Sequence, residues 1–356
     1  MSGDGDANNH WRPTGVSFSS GGIRIIGHLG VLAHLLETGD LDSVRNWYGC
    51  SGGCICAIVA ALGATPAWIR DMAQHFDPRV LSVINEDAVF EYLSTWGVND
   101  GSALSTFMGR FMDTWEPGSS AWTFADFVKN RPGITLTMTA TNVSRGCQAI
   151  FDHIQTPTMR LVDAVRISSS IPLFYCPWID ASGDVFCDGA VTEYYPWAPV
   201  ADKANTLVIV CSDTGISGRP MANTSIKSLT DYIGRIADIT RSKRFVEMPK
   251  NWIAVNNLTV GFMDFDISQE DRLALFDEGV RVAGRWRAFR LLREKDSVPK
   301  TPESFPHCAP LHTSCVCQHD PDKRLGTPGC RIPPPQPAPL HSLRDEERRP
   351  CRRWSL

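Results

Sequence analysis

Residues 52–64, with the sequence GGCICAIVAALGA, form a run of thirteen residues without a charged side chain. The run is long enough for a helix, and a helix that is apolar on every side must be buried on every side. The residues just before it, VRNWYG at 44–49, have the character of a strand. We therefore expect a buried strand–turn–helix unit with further strands and helices packed around it.

Strand-like and helix-like segments alternate through the chain. TLVIVCSD at 206–213 is a continuous apolar run, typical of a central strand in a parallel sheet, and GITLTMTAT at 133–141 also has a strand pattern. Apolar residues recur at helical spacing in GHLGVLAHLLETG (27–39), ALSTFMGRFMDTW (103–115), SIKSLTDYIGRIADI (225–239) and DRLALFDEGVRVAGRWRAF (271–289). This order predicts an α/β sandwich with a mostly parallel central sheet flanked by helices.

Composition divides the chain into three predicted zones. These are a polar leader at residues 1–13, one folded domain at 14–295 and a proline-rich tail at 296–356 that holds half of the 24 prolines. Such a tail cannot bury much apolar surface, so we expect it to be disordered. The spacing of its cysteines around His319 matches no standard zinc-binding pattern, and no metal site is predicted there.

Charge and hydropathy exclude several classes of protein. The formal net charge of −4 argues against a nucleic-acid-binding protein, because such proteins are usually basic. No apolar run reaches the roughly 18 residues of a transmembrane helix, and the acidic N-terminal segment lacks the features of a signal peptide. We therefore expect a cytoplasmic location and reduced thiols rather than disulfides among the 12 cysteines.

The turn between the predicted strand and the buried helix is Gly49-Cys50-Ser51-Gly52-Gly53, which matches the G-x-S-x-G pattern of a nucleophile elbow. Glycines beside the serine let the chain turn sharply and expose the hydroxyl. The N-terminus of the following helix favours the negative charge that develops during nucleophilic attack. The alternative is a glycine-rich turn that only packs a helix onto a sheet. The strand and helix on either side favour Ser51 as a nucleophile.

A second glycine-rich turn, Ser20-Gly21-Gly22-Ile23-Arg24, follows the first predicted strand. The backbone N–H groups of such a turn are able to point together at one oxygen, which makes it a candidate oxyanion hole. A plain strand-to-helix loop and a phosphate-binding loop are the alternatives. The chain contains neither G-x-x-x-x-G-K-[ST] nor G-x-G-x-x-G, so nucleotide binding is disfavoured.

A nucleophilic serine needs a base, and an ordinary triad supplies a histidine. The histidines of the folded zone all precede the later strands: His28, His34, His75 and His153. Asp188, in DVFCDGAV, is a better candidate because it ends a strand-like segment and precedes Gly189, which predicts a tight turn that presents the carboxylate. A carboxylate with a pKa of about 4 is a weak base, but a dry, apolar site raises that pKa.

Taken in order, these motifs resemble those of the patatin-like phospholipases over roughly residues 15–285. SSGGIRIIGHLGVLAHLLETG resembles the family's glycine-rich oxyanion segment and first helix, GCSGG its nucleophile elbow, and DGA its Asp-Gly-Gly/Ala motif. GVNDGSAL, TFADFV, LTMTATNVSRGCQAIFD and LVDAVRISSSIPLFYCP follow the family's landmarks in order. The fold implied by this resemblance is a three-layer sandwich.

The resemblance also implies a site and a function. Ser51 and Asp188 would form a catalytic dyad without histidine. The oxyanion hole would use the amides of Gly21, Gly22 and Ile23, and the other motif positions are Arg24, Gly49, Gly53 and Gly189. The implied reaction cleaves ester-linked fatty acids from phospholipids or other glycerolipids, reached by peripheral contact with a membrane or micelle, and needs no metal or organic cofactor.

Two positions depart from the family's usual Gly-Gly-Gly-x-Arg/Lys-Gly segment. Ser20 stands at the first position and Ile25 at the last. This departure motivates one alternative, a catalytically weak homologue that acts as a lipid-binding or interaction protein. A second alternative is an α/β-hydrolase whose histidine lies in the tail, at His307, His312, His319 or His341.

Overall fold

The computed structural model describes residues 11–84, 89–212, 249–256 and 260–295. The predicted helix at 225–239, the tail at 296–356 with its histidines, and most of the predicted leader lie outside the described residues. The boundaries of the folded zone therefore stay a prediction.

The strands of the described chain are β1 (Gly15–Phe18), β2 (Asn46–Cys50), β3 (Thr135–Asn142), β4 (Cys147–Phe151), β5 (Trp178–Ile179), β6 (Val185–Cys187), β7 (Thr206–Ser212) and β8 (Trp252–Asn256). They form one sheet in the order β5-β6-β3-β2-β1-β7-β8, with β4 also paired to β3. The pairs between β3, β2, β1, β7 and β8 are parallel, whereas β4, β5 and β6 pair antiparallel. The predicted mostly parallel central sheet is confirmed.

The α-helices of the described chain are α1 (Ile25–Glu37), α2 (Gly53–Ala61), α3 (Pro66–His75), α4 (Tyr92–Thr95), α5 (Ser102–Trp115), α6 (Phe124–Asn130), α7 (Leu161–Ser168) and α8 (Gln269–Lys295). Every residue of α2 is buried. The helix packs against β1, β2 and β3 on one side and contacts α1 and α7 on others. The prediction that this apolar segment forms a fully buried helix is confirmed.

Helices α1 and α8 cross at a close contact that glycine makes possible. A Cβ on Gly30 would lie 2.0 Å from the carbonyl oxygen of Phe276. A Cβ on Gly279 would lie 2.0 Å from the carbonyl oxygen of Gly27. Since real Cβ atoms do not approach that closely, these glycines let the two backbones touch, and α8 covers α1.

The opposite face of the sheet is covered differently. Side chains of neighbouring residues in β7 point to opposite faces, so Val208 and Val210 lie on the face away from α1 and α2. Tyr194, Tyr195 and Trp197 pack on them there.

The parallel arrangement brings two turns together at one edge of the sheet. Phe18, at the end of β1, is in register with Gly49 near the end of β2. Because both strands run in the same direction, the turn after β1 and the turn after β2 leave the sheet side by side. Both predicted motif turns therefore lie at the carboxyl edge of the sheet, where α/β proteins commonly bind ligands.

Candidate active site

The turn at Ser51 is a sharp strand-to-helix bend. Ser51 lies between β2 and α2 with a φ of +54°, a left-handed conformation that residues other than glycine seldom adopt. A Cβ on Gly49 would lie 2.6 Å from the Cα of Cys54, and one on Gly53 would lie 2.5 Å from the carbonyl oxygen of Ser19. Both glycines are required by close backbone approach, which explains their spacing around the serine.

Ser51 and Asp188 meet directly, although 137 residues separate them. The Ser51 hydroxyl donates a hydrogen bond of 2.6 Å to Oδ2 of Asp188, and both side chains are buried. The other carboxylate oxygen, Oδ1, accepts the amide of Ala190 at 2.8 Å. The backbone of Asp188 is held by Ser170, whose carbonyl accepts its amide, and by Thr141, whose hydroxyl donates to its carbonyl. These hydrogen bonds fix the backbone of Asp188 and so set the position of its carboxylate.

Gly189 is required by the approach of the aspartate turn to the sheet. A Cβ at this position would lie 2.4 Å from the carbonyl oxygen of Thr139 in β3 and 2.8 Å from the sulfur of Cys50. The turn after Asp188 therefore sits directly on the strand beside the elbow, and a side chain at 189 would push the carboxylate away from Ser51.

Ser168, at the end of α7, lies in the landmark segment LVDAVRISSSIPLFYCP, but no role at the elbow was predicted for it. Its hydroxyl accepts the amide of Ser51 at 2.8 Å and donates to the carbonyl of Thr139 at 2.7 Å. The thiol of Cys54 also donates to it, at 3.1 Å. This hydroxyl braces the elbow. Because the amide of Ser51 donates to it, that amide is already hydrogen bonded inside the protein.

The glycine turn after β1 is as constrained as the elbow. Gly22 has a φ of +56°, and a Cβ on it would lie only 2.0 Å from the carbonyl oxygen of Phe262. The same carbonyl accepts the amide of Ile23 at 2.9 Å. The expectation that Ile23 contributes an oxyanion donor therefore does not fit this geometry, because its amide is already hydrogen bonded inside the protein.

Three other amides near the elbow differ from that of Ile23. Within the described residues, the N–H groups of Gly21, Gly22 and Gly52 donate no hydrogen bond. Gly22 and Gly52 also line the cavity that contains Ser51, whereas Gly21 does not. Gly52 was not among the predicted donors, although it is the residue after the serine, a position that supplies an oxyanion donor in other nucleophile elbows.

The two departures from the usual glycine segment are accommodated. Ser20 is buried, and its amide donates to the carbonyl of Tyr194 at 2.8 Å. The side chain of Ile25 packs over two backbones, with its Cγ2 2.9 Å from a Cβ placed on Gly52 and 3.3 Å from one placed on Gly21. Ile25 is therefore accommodated mainly because Gly52 has no Cβ, and a Cβ on Gly21 would also be tight.

A family model for the patatin-like phospholipases matches residues 16–201, more than half of the chain, and this range includes both Ser51 and Asp188. The chain belongs to the patatin-like phospholipase family. The suspected resemblance is thus confirmed.

Individual relatives agree with this assignment. An uncharacterized protein of Acanthamoeba polyphaga mimivirus is 23% identical over 279 residues, which cover 75% of this chain and 91% of that protein. A probable lipid hydrolase of Invertebrate iridescent virus 6 is 25% identical over 182 residues, which cover 50% of this chain and 60% of that protein. The crystal structure of VipD from Legionella pneumophila matches with a TM-score of 0.55 at 13% identity, covering 78% of this chain and 67% of that one, and supports the fold.

The patatin-like domain has an apolar cavity at the elbow. The space next to Ser51 amounts to about 670 Å³ when the part open to solvent is included, and Ser51 and Ser169 are among its few polar lining residues. Helices α1, α2, α3 and α5 contribute Ile25, Ile26, Leu29, Ile55, Met72, Ala73, Leu104 and Phe107 to its apolar lining. The other apolar lining residues are Ile23, Phe76, Leu81, Ile171 and Phe265. The composition suits a hydrocarbon chain placed next to the serine hydroxyl.

Burial keeps the thiols around Ser51 and Asp188 protonated. Burial, reinforced by the charge of Asp188, raises the pKa of Cys50 well above its usual value. Burial likewise raises the pKa of Cys54 and of Cys187 to about 12. A thiol that stays protonated at neutral pH is a poor nucleophile, so these cysteines are not candidates for that role.

Arg24 and His28 are buried in the first helical segment of the family's fold. The Arg24 side chain is 4% exposed, and its guanidinium lies 6.0 Å from the ring centroid of Phe262. This burial favours a bracing role for Arg24 over contact with a lipid phosphate. Burial, together with the charge of Arg24, lowers the pKa of His28 to about 3, and its Nε2 lies 3.1 Å from the sulfur of Cys211. His28 is therefore neutral, and its contact is with Cys211 rather than with Ser51 or Asp188.

The lowered pKa of His28 predicts a pH-dependent stability. In the unfolded chain a histidine has a pKa of about 6.5, so the unfolded state binds a proton that the folded protein does not. The contribution of His28 to the free energy of unfolding is fully present above about pH 6.5 and is lost as the pH falls toward 3. Between pH 7 and pH 5 this loss is roughly 2 kcal/mol. Denaturant titrations at both pH values are expected to show a smaller loss for His28→Gln than for the native chain. Equal losses in the two proteins would contradict the assignment.

Neither a metal site nor a membrane-spanning helix is found in the described part of the chain. No group of three His, Cys, Asp or Glu side chains there is arranged to hold a metal ion. Among the same residues, no helix is both long and apolar enough to span a bilayer.

Proposed function

We propose that this patatin-like phospholipase releases fatty acids from glycerolipids through an acyl-enzyme on Ser51, with Asp188 as the base. Family membership supports lipid ester hydrolysis in general. The observation that carries the finer proposal is the 2.6 Å hydrogen bond from the Ser51 hydroxyl to Asp188 inside an apolar cavity. A nucleophile and a base at this separation are positioned for direct proton transfer.

The first half of the reaction forms the acyl-enzyme. Oγ of Ser51 attacks the ester carbonyl carbon while its proton passes to Oδ2 of Asp188. The carbonyl electron pair moves to oxygen, giving a tetrahedral oxyanion. The amides of Gly22 and Gly52 are the donors we assign to this oxyanion, and the N-terminus of α2 adds a favourable field. Asp188 then returns the proton to the departing glycerol oxygen as the carbon–oxygen bond breaks.

The second half regenerates the enzyme. A water molecule gives a proton to Asp188 and attacks the acyl carbon, forming a second oxyanion at the same amides. Collapse breaks the bond to Ser51, the serine oxygen recovers the proton, and a free fatty acid is released. The acyl chain lies in the apolar cavity throughout, because transfer of a hydrocarbon chain from water into such a site is favourable.

A lipid-panel assay tests the proposal. Native protein is mixed with vesicles or micelles of phospholipids, galactolipids and neutral glycerides, and free fatty acid is measured. We expect release from at least one class, and its loss in Ser51→Ala. Ser119→Ala is the matched control, because Ser119 is a fully buried serine outside the cavity. Release that persists in Ser51→Ala would refute the nucleophile assignment.

The catalytically weak homologue remains the second candidate, and one observation favours it. Ile25 packs against Gly52, next to an amide that we assign to the oxyanion. If this crowding prevents oxyanion binding, the native protein still takes up lipid but releases no fatty acid. Binding of a fluorescent fatty acid without release from any class in the panel would identify a lipid-binding protein.

A further inference from the structure

Exposed apolar side chains gather on one part of the surface. Phe90 and Leu93 are each 90% exposed, an unusual degree for large apolar residues. Val83, Ile84, Trp96 and Leu173 are also exposed. We call these six residues the apolar rim.

Backbone hydrogen bonds tie the separate stretches of the apolar rim together. The side-chain amide of Asn99 donates to the carbonyl of Val83 at 2.7 Å. The backbone amides of Val98 and Asn99 donate to the carbonyl of Phe174 at 2.9 and 3.0 Å. Trp96 lies two residues before Val98, and Leu173 precedes Phe174. The three stretches that carry the rim are therefore held next to one shared anchor, Val98 and Asn99.

The apolar rim adjoins the cavity that contains Ser51. Leu81 and Tyr175 both line that cavity. The Tyr175 hydroxyl donates to the carbonyl of Leu81 at 2.7 Å, and the same carbonyl accepts from Asn99. The anchor of the rim is thus hydrogen bonded to the wall of the cavity. A lipid molecule at the rim therefore lies close to the cavity.

Two rim residues are held outward by an unfavourable backbone. In the described chain, the residues other than glycine with positive φ are Ser51, Trp96 (+56°) and Leu173 (+69°). A left-handed conformation is disfavoured for large side chains and persists where the surroundings enforce it, commonly at functional sites. One of the three is the proposed nucleophile, and the other two belong to the rim.

Charge decides what kind of surface fits. The sequence from 80 to 109 contains no lysine or arginine, and its charged residues in the described part of the chain are Glu91 and Asp100. Arg79, just before this stretch, is paired with Asp77. Proteins that use anionic lipids carry clusters of basic residues near the membrane contact. The described part of this region has no such basic cluster, so it gains nothing from anionic headgroups, and Glu91 and Asp100 are repelled by them.

We infer that the apolar rim inserts into the surface of a zwitterionic phospholipid layer and holds the cavity mouth against it. This inference rests on the proposed lipid hydrolase function. Phe90 and Leu93 enter the apolar zone, and Trp96 sits at the headgroup level, where tryptophan is enriched. Binding depends on buried apolar area rather than on charge, so added salt does not weaken it.

Vesicle flotation tests the inference without hydrolysis. Full-length Ser51→Ala protein is mixed with vesicles of phosphatidylcholine, or of phosphatidylcholine with phosphatidylserine. We expect stronger binding to phosphatidylcholine alone, and a loss of about tenfold or more when Phe90→Ser and Leu93→Ser are combined. Ile154→Ser is the matched control, because Ile154 is 76% exposed but lies outside the rim. Glu91→Lys is expected to strengthen binding to the mixed vesicles.

A soluble ester separates this inference from the proposed function. With the native Ser51 restored, the rim variant should hydrolyse p-nitrophenyl butyrate at the native rate, which also reports that it is folded. If neither the native protein nor the rim variant hydrolyses any ester, but the rim variant loses vesicle binding, the membrane-contact inference holds and the proposed function fails. Unchanged vesicle binding, or preference for the phosphatidylserine mixture, overturns the inference. So does a rim variant that converts a native dimer into a monomer without lipid, because a second copy then covers the rim.

Discussion

Replacing Asp188 by asparagine is expected to lower fatty-acid release by roughly 10³- to 10⁴-fold while leaving the fold intact. Asparagine has the same shape, and its amide oxygen still accepts the N–H of Ala190 that now bonds Oδ1. It cannot take a proton, however, and the hydroxyl of Ser51 loses the acceptor now at 2.6 Å. The loss should fall on kcat, with little change in KM, because the group acts on the reacting proton rather than on the lipid.

A second aspartate supplies the control for this experiment. Asp152 also uses Oδ1 to accept the amide of the residue two positions later, Ile154, at 2.8 Å. Asp152→Asn therefore makes the same chemical change in the same kind of turn outside the cavity, and we expect near-native release. Activity of Asp188→Asn within tenfold of native would remove the dyad mechanism. It would redirect attention to another base, including the tail histidines.

The features that the sequence predicted share one physical property. Each arises from a local steric demand that only certain residues meet, so it leaves a short signature. The buried helix α2 is visible because no residue from 52 to 64 is charged. The elbow and the aspartate turn are visible because Gly53 and Gly189 lie where a Cβ would collide with neighbouring backbone.

The features that were missed depend on contacts between distant parts of the chain. Ser168 lies in a segment that resembles a family landmark, but its hydrogen bond to Ser51 across 117 residues is not indicated by the sequence near either serine. The amide of Ile23 is occupied by the carbonyl of Phe262, a backbone group that any residue carries and that therefore leaves no signature. The apolar rim was also missed, because exposed and buried apolar residues look alike until the packing is known.

Gly22→Ala is expected to reduce both activity and stability. The φ of +56° disfavours alanine, and its Cβ would lie 2.0 Å from the carbonyl oxygen of Phe262, so the turn must move. We expect a loss of about 2–3 kcal/mol in the free energy of unfolding. Movement of the Gly22 amide should also lower kcat by roughly 10²- to 10³-fold, the usual effect of losing one oxyanion donor. Denaturant titration and release assays measure the two losses.

Gly63→Ala separates the two causes of that loss. Gly63 also has a left-handed backbone, with a φ of +79°, but no atom lies within 4 Å of the position that its Cβ would take. Gly63→Ala should lower the free energy of unfolding only by the cost of the left-handed backbone, about 1 kcal/mol. Its release of fatty acid should stay at the native level. If Gly22→Ala is destabilised but keeps native kcat, then Gly22 shapes the turn without holding the oxyanion. The amide of Gly52, beside Ser51 and under Ile25, would then be the donor to test.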